Sequence, residues 1–231
     1  MVTVGMKRYR HRTAEQERYI GPGPDHPLDQ QTLFGQAAPL RLELGCGHGE
    51  FITAVAAQHP QEQVIGVEYD RLRVTKIAHK LAKAGLDNAR IFHDEAHHFV
   101  RHRVPTATLQ RCYILFPDPW PRRRHRRRRL INRCFLLDLA WAMAPGGQVV
   151  LASDRHDYVM QALTNISTLP GLWRNRCNPR GYAFDIPTRF PTLFETYKKA
   201  AGCSIAYLLL ERDATPPPPR LIHHRPGKGA L

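Results

Sequence analysis

Residues Phe116-Pro117-Asp118-Pro119-Trp120-Pro121 set a single carboxylate between prolines and beside an indole ring. Seven arginines and His125 follow within Arg122–Arg129. The prolines restrict the backbone on both sides of Asp118 and so fix its direction. A lone, stiffly held carboxylate suits a reaction that needs a group positioned or a positive charge stabilised. Arginines at this density suit phosphates, which they grip through bidentate hydrogen bonds. Most such runs are solvated faces, but this one follows a strand at the ligand end of a sheet, which favours a phosphate track. Arg122 is expected to point into the site and most of the others to meet a nucleic-acid backbone. Trp120 either stacks a base, a contact worth about 1–3 kcal/mol, or walls the pocket.

A second group of residues can hold a small ligand. Glu43-Leu44-Gly45-Cys46-Gly47-His48-Gly49 joins an apolar run to an amphipathic one. Glycines such as Gly45 and Gly47 at a strand-to-helix turn let the backbone pass close to a ligand. Glu50 stands where a dinucleotide fingerprint wants Gly or Ala, so no pyrophosphate need be cradled there. Glu68 ends the next apolar run, where its two oxygens can take two ribose hydroxyls. Asp94 ends the third, within reach of an adenine amino group. Acids at the carboxyl ends of adjacent strands converge on one crevice. His93, His97, His98 and His102 include i,i+4 pairs, but no carboxylate or cysteine completes a ligand set, and no metal site is expected.

The elements that must position these groups alternate in type. Strands are expected over Leu40–Leu44, Val64–Val67, Ala89–Phe92, Cys112–Phe116 and Gln148–Ala152, with closing strands at Trp173–Cys177 and Ser204–Glu211. Helices are expected over Glu50–Gln58, Arg71–Ala84, Glu95–His102, Leu130–Met143 and Asp157–Leu169. The last but one of these is closed by Pro145-Gly146-Gly147. Leu130, Cys134, Leu137 and Trp141 at helical spacing read as core. The pattern predicts an α/β Rossmann-like fold, a mostly parallel seven-stranded sheet with helices on both faces. Residues 1–38 read as a basic, flexible N-terminal arm, 39–212 as the catalytic domain, and 213–231 as a proline-rich, basic, disordered tail. Asn178 to Gly202 is too long for a plain connection and is expected to be functional.

Composition narrows the partners. The net charge is +14 and the sequence pI about 10.1, a field that favours nucleic acid where no basic amphipathic anchor is present. No apolar run nears the roughly 18–20 residues that cross a membrane. The N-terminus lacks a signal-like apolar region. The five cysteines are scattered, odd in number and never spaced C-x-x-C, as in a reducing cytoplasm.

Glu43 to Gly49 with Glu68 resembles the donor-binding core of class I S-adenosylmethionine-dependent methyltransferases. Phe116 to Trp120, with Arg122, His125 and Arg127 to Leu130, resembles the signature of bacterial tRNA (guanine-N7)-methyltransferases. Asp154 with Tyr158, and Thr192-Leu193-Phe194-Glu195 with Gly202 and Ile205, are similar to that family's later motifs. The resemblance runs from about Leu40 to Arg212. It implies S-adenosylmethionine as cofactor, tRNA as partner and methylation of a variable-loop guanine. It carries over Glu43, Glu68, Asp94 and Asp118 as donor contacts, with Asp118 as the catalytic residue. Arg122, Asp154, Thr192, Leu193, Phe194 and Glu195 are carried over as substrate contacts.

Guanine N7 has an in-plane lone pair and no proton, so a site without a general base suffices. Asp118 is placed to stabilise the developing cation. Asp154 and Glu195 can each accept from guanine N1–H and its amino group. Two departures stand out. Arg122 replaces a usual lysine, and Lys198 and Ser204 stand where glycines are usual. Two rivals stay open: a non-catalytic RNA-binding protein on this fold, and a methyltransferase of another RNA or a small molecule. Monomer and homodimer are equally open.

Overall fold

A computed structural model describes residues 13–177, 179–186 and 191–219. Seven strands form one sheet in the order β3-β2-β1-β4-β5-β7-β6. They are β1 Leu40–Leu44, β2 Gln63–Glu68, β3 Ala89–His93, β4 Leu109–Leu115, β5 Met143–Ser153, β6 Trp173–Asn175 and β7 Ala206–Arg212. The helices are α1 Ala14–Glu17, α2 Gln30–Phe34, α3 Glu50–Gln58, α4 Arg71–Lys83, α5 Ala96–His102, α6 Arg133–Ala142, α7 His156–Ser167 and α8 Leu193–Ala200. Strands β1 to β5 are parallel, and β7 runs antiparallel between β5 and β6. Strand order reverses between β1 and β4, so their carboxyl ends open the crevice where such sheets bind ligands.

The parallel strands are apolar runs because both faces are covered. One face packs Phe99 of α5, Phe135 and Leu139 of α6, and Val159 of α7 into a continuous core. The other takes Phe51 and Ile52 of α3 and Val74, Ile77 and Leu81 of α4. Helix α4 shows how local sequence sets an element. Asp70 caps its start, accepting from the amides of Leu72 and Arg73. Val74, Ile77, Ala78 and Leu81 line the buried face, and Lys80 and Lys83 stand in the last turn, where cations favour the helix dipole. Burying each of the larger side chains stabilises the fold by roughly 1.5–3 kcal/mol.

Three parts depart from the sequence expectation. Within the expected arm, residues 13–38 are seated on the domain. Tyr19 and Leu28 are buried. Gly21 N–H donates to Ile91 O, and Ile91 N–H to Tyr19 O, so this segment covers the edge of β3. The polar Gly-Pro-Gly-Pro signal masked two apolar anchors on either side of it. Lys7, Arg8, Arg10, His11 and Arg12 lie outside the described residues, as does the end of the tail from residue 220.

Second, β5 starts at Met143, five residues early. Leu109 pairs with Met143 but Arg111 pairs with Gln148, so Pro145-Gly146-Gly147 is an excursion inside the strand, with Gly146 at φ 77°. Third, the long segment before β7 carries α8, capped by Thr192, whose hydroxyl accepts from the amide of Glu195.

Candidate active site

A cavity of about 770 Å³ opens at the carboxyl ends of β1, β2, β3 and β4. Its floor is built by the turn after β1. Gly45, Gly47 and Gly49 all have positive φ. At Gly49 a side chain would also meet Ile77 Cγ1 at 2.7 Å, so the turn needs glycine there for both conformation and space. Lys80 fastens the turn from α4, donating to His48 O at 2.7 Å and to Glu50 Oε1 at 2.8 Å.

All four expected donor acids line this cavity, Asp118 on the wall opposite the other three, and Glu43, Glu68 and Asp94 are each in a different state. Glu43 is 3 % exposed, and its Oε2 has no hydrogen-bond partner. Burial pushes its carboxyl up to about 8, and the neighbouring Glu68 adds to the rise. Glu68 accepts from Gly47 N–H through Oε2 and from Asp70 N–H through Oε1. Each oxygen keeps a lone pair for a ligand hydroxyl. Asp94 is more heavily engaged: Oδ1 accepts from Glu95 N–H and pairs with His98 Nδ1, and Oδ2 faces Arg103 Nη1 at 3.3 Å. Arg103 is itself buried and donates to Pro22 O and His26 O. The N-terminal segment is thereby tied to the Asp94 end of the cavity.

Strand β4 delivers the opposite wall. Phe116 and Trp120 both adopt positive φ, 55° and 39°, a conformation that costs a bulky residue roughly 1–3 kcal/mol. Two hydrogen bonds hold the loop in that shape. Phe116 N–H donates to Ala152 O, and Arg129 Nε–H donates to Pro119 O at 2.8 Å. Asp118 lies between them, exposed and lining the cavity.

The arginine run divides into different jobs. Arg123–Arg128 form a 3-10 helix. Arg129 is 1 % exposed and binds Asp157, Gln161 and the Tyr158 ring face as well as Pro119. Arg122 was expected in the site, but it is exposed ahead of the 3-10 helix and does not border the cavity. Arg128 does border it, lying over the Trp120 ring at 4.9 Å. Nothing in a run of identical residues distinguishes Arg128; the 3-10 turn makes the choice. Trp120 thus walls the pocket, with one face already covered by Arg128 and His125 edge-on to its ring.

The late substrate residues do not all converge. Leu193 and Phe194 face the cavity together with Thr192, and Phe194 packs edge-on to Phe116 at 4.9 Å. Glu195 is 1 % exposed. It accepts from Tyr207 OH and pairs with Lys199 at 2.9 Å, so it fastens α8 to β7 and is turned away from a base. Asp154 follows β5, does not border the cavity, and is bonded to Lys198 at 2.7 Å. Sequence spacing gave no signal for either partner. His97 and His98 each face an aspartate, Asp138 and Asp94.

These residues fit a donor that carries positive charge and vicinal hydroxyls. The orphaned buried oxygen of Glu43 asks for a hydrogen-bond donor or cation. Glu68 offers two free lone pairs at the mouth of the same cavity. S-adenosylmethionine has both features. Sheet order, glycine turn and strand-end acids together define a class I methyltransferase.

A family model described as a putative methyltransferase matches residues 37–200. A tRNA (guanine-N(7)-)-methyltransferase of Halorhodospira halophila is 39 % identical over 73 % of this chain and 72 % of its own length. One from Acidithiobacillus ferrooxidans is 40 % identical over 75 % and 76 %. The chain belongs to the bacterial tRNA (guanine-N7)-methyltransferase family. Among solved structures, a 16S rRNA methyltransferase covers 79 % of this chain and 92 % of its own, with TM-score 0.58 and 18 % identity. A [4+2]-cyclase has TM-score 0.52 at 12 % identity, covering 78 % and 76 %. That pair shows the fold alone, and the fold alone does not fix the chemistry.

Proposed function

We propose that the chain transfers a methyl group from S-adenosylmethionine to N7 of a guanine in the variable loop of tRNA. One observation carries this reading. A cavity with an orphaned donor-side carboxylate, Glu43, also contains Asp118 on a loop that continues into the arginine run. Donor chemistry and phosphate binding therefore meet at the carboxyl ends of the central strands. When bound, S-adenosylmethionine supplies an electrophilic methyl on a positively charged sulfur.

The chain's own residues do the rest. Glu43, Glu68 and Asp94, with Gly45 and Gly47, bind and orient the donor. Guanine N7 needs no proton removed, so catalysis rests on alignment and on excluding water. Phe116, Trp120, Leu193 and Phe194 supply apolar walls for that purpose. Asp118 stabilises the positive charge that the purine acquires at N7. Arg128 at the cavity, and Arg122 with the exposed arginines of the 3-10 helix beyond it, take tRNA phosphates. Glu195 is committed to Tyr207 and Lys199 and Asp154 to Lys198, so neither carboxylate is assigned to the guanine edge. The reaction belongs in the cytoplasm, where tRNA is modified; among the described residues no helix is long and apolar enough to cross a membrane.

The test uses purified protein, S-adenosylmethionine and bulk unmodified tRNA, followed by mass spectrometry of nucleosides. N7-methylguanosine is the expected product. Asp118→Asn should retain donor affinity within about threefold and lose about 100-fold in kcat. Absence of N7-methylguanosine with the unaltered protein would overturn the reading.

A further inference from the structure

Helix α8 forms the acceptor side of the cavity with its first turn, and four contacts hold that turn. Thr192 caps it. Glu195 fixes its inner face to β7 through Tyr207 and Lys199. Phe194 packs on Phe116, the residue at which the Asp118 loop begins. The fourth contact is Lys198. Its Nζ lies 2.7 Å from Asp154 Oδ2 and 5.2 Å above the centre of the Phe194 ring. Residues 194 and 198 are one turn apart, so the lysine stands over the same helix face as the phenylalanine. Its ammonium joins three parts: the end of β5, the helix, and the ring that walls the cavity.

We propose that Lys198 is a positioning residue of the acceptor site: its ion pair with Asp154 fixes Phe194, and hence the wall against which the target guanine seats. The inference rests on the proposed tRNA methylation. Three observations favour a brace over a phosphate contact. The Asp154 side chain is only 16 % exposed and that of Lys198 32 %, so the carboxylate end of the pair is largely covered. The Asp154 hydrogen bond holds the ammonium's pKa above its ordinary value, so the carboxylate engages the cation directly. The cation is also spent on the ring below it.

The test compares Lys198→Met, which keeps the aliphatic stem, with Lys198→Arg, which keeps the charge and can pair with Asp154. For Lys198→Met the expected result is about a tenfold rise in KM for unmodified tRNA, with kcat changed less than about threefold. Donor affinity by calorimetry should stay within about twofold of the unaltered protein, because Lys198 lies outside the donor end. Lys198→Arg should restore KM to within about threefold. The salt dependence of tRNA binding separates the brace from a phosphate contact. A brace leaves the slope of log Kd against log salt unchanged, whereas a lost phosphate contact lowers it by about 0.7–0.9. An unchanged KM, or a slope reduced by that amount, would overturn the proposal. The tRNA Kd reads the brace without turnover, so its outcome stands apart from whether the unaltered protein makes N7-methylguanosine.

Discussion

At the scale of single residues, Glu43 makes the sharpest demand. Its carboxyl is buried, its Oε2 has no partner, and its pKa is pushed up to about 8. In the unfolded chain the same group titrates near 4.5. The ligand-free protein therefore loses stability as pH rises between these values, because the unfolded state ionises first. A cationic donor reverses the balance by favouring the charged carboxylate. Binding should release a proton below about pH 8, and donor affinity should rise with pH up to there and then level off. Calorimetry in two buffers of different ionisation enthalpy measures that proton. Glu43→Gln should abolish the release and flatten the pH dependence; equal heats in both buffers for the unaltered protein would show that Glu43 does not titrate on binding. The identity of this acid was readable in the sequence, because strand-end carboxylates at a glycine turn are a positional signal. Its orphaned state was not, since it depends on what the fold leaves unpaired around it. The same holds for Glu195, whose partner Tyr207 is 12 residues away across a helix-strand contact.

At the scale of elements, buried arginines set the loop and the edge. Arg129 ties the strained turn between Phe116 and Trp120 to α7, and Arg103 ties the N-terminal segment to Asp94. Arg129→Met should remove hydrogen bonds to a partly buried carbonyl and a carboxylate together. The expected cost is roughly 3 kcal/mol in denaturant unfolding, with a fall in methyl transfer larger than the fall in donor affinity. A change below about 0.5 kcal/mol would place Arg129 among ordinary surface arginines. Sequence periodicity located the helices around this loop, because α4, α6 and α7 carry apolar stripes that bury on one side. It misplaced the start of β5, because Pro145-Gly146-Gly147 reads as a stop although the chain returns to the ladder at Gln148. It also read residues 13–38 as free. Tyr19 and Leu28 anchor that segment by tertiary burial, which no local pattern announces.

At the scale of the whole molecule, two features combine. The sheet order brings Glu43, Glu68 and Asp94, at or just past the ends of β1 to β3, and the Asp118 loop after β4 to one crevice. The net charge of +14 favours a partner of opposite sign, and the arginine run brings positive charge to that crevice through Arg128. The alternation of strands and helices makes the first legible in the sequence, and composition makes the second legible. The division of the arginine run into Arg129 inside, Arg128 at the cavity and Arg122 outside needed the three-dimensional turn. The central claim is that the acceptor atom is guanine N7 of tRNA. Single-turnover methyl transfer tests it most directly, comparing a tRNA transcript with the same transcript made with 7-deazaguanosine, which has carbon in place of N7. The account predicts methyl uptake by the first and none by the second; equal uptake by both would contradict it.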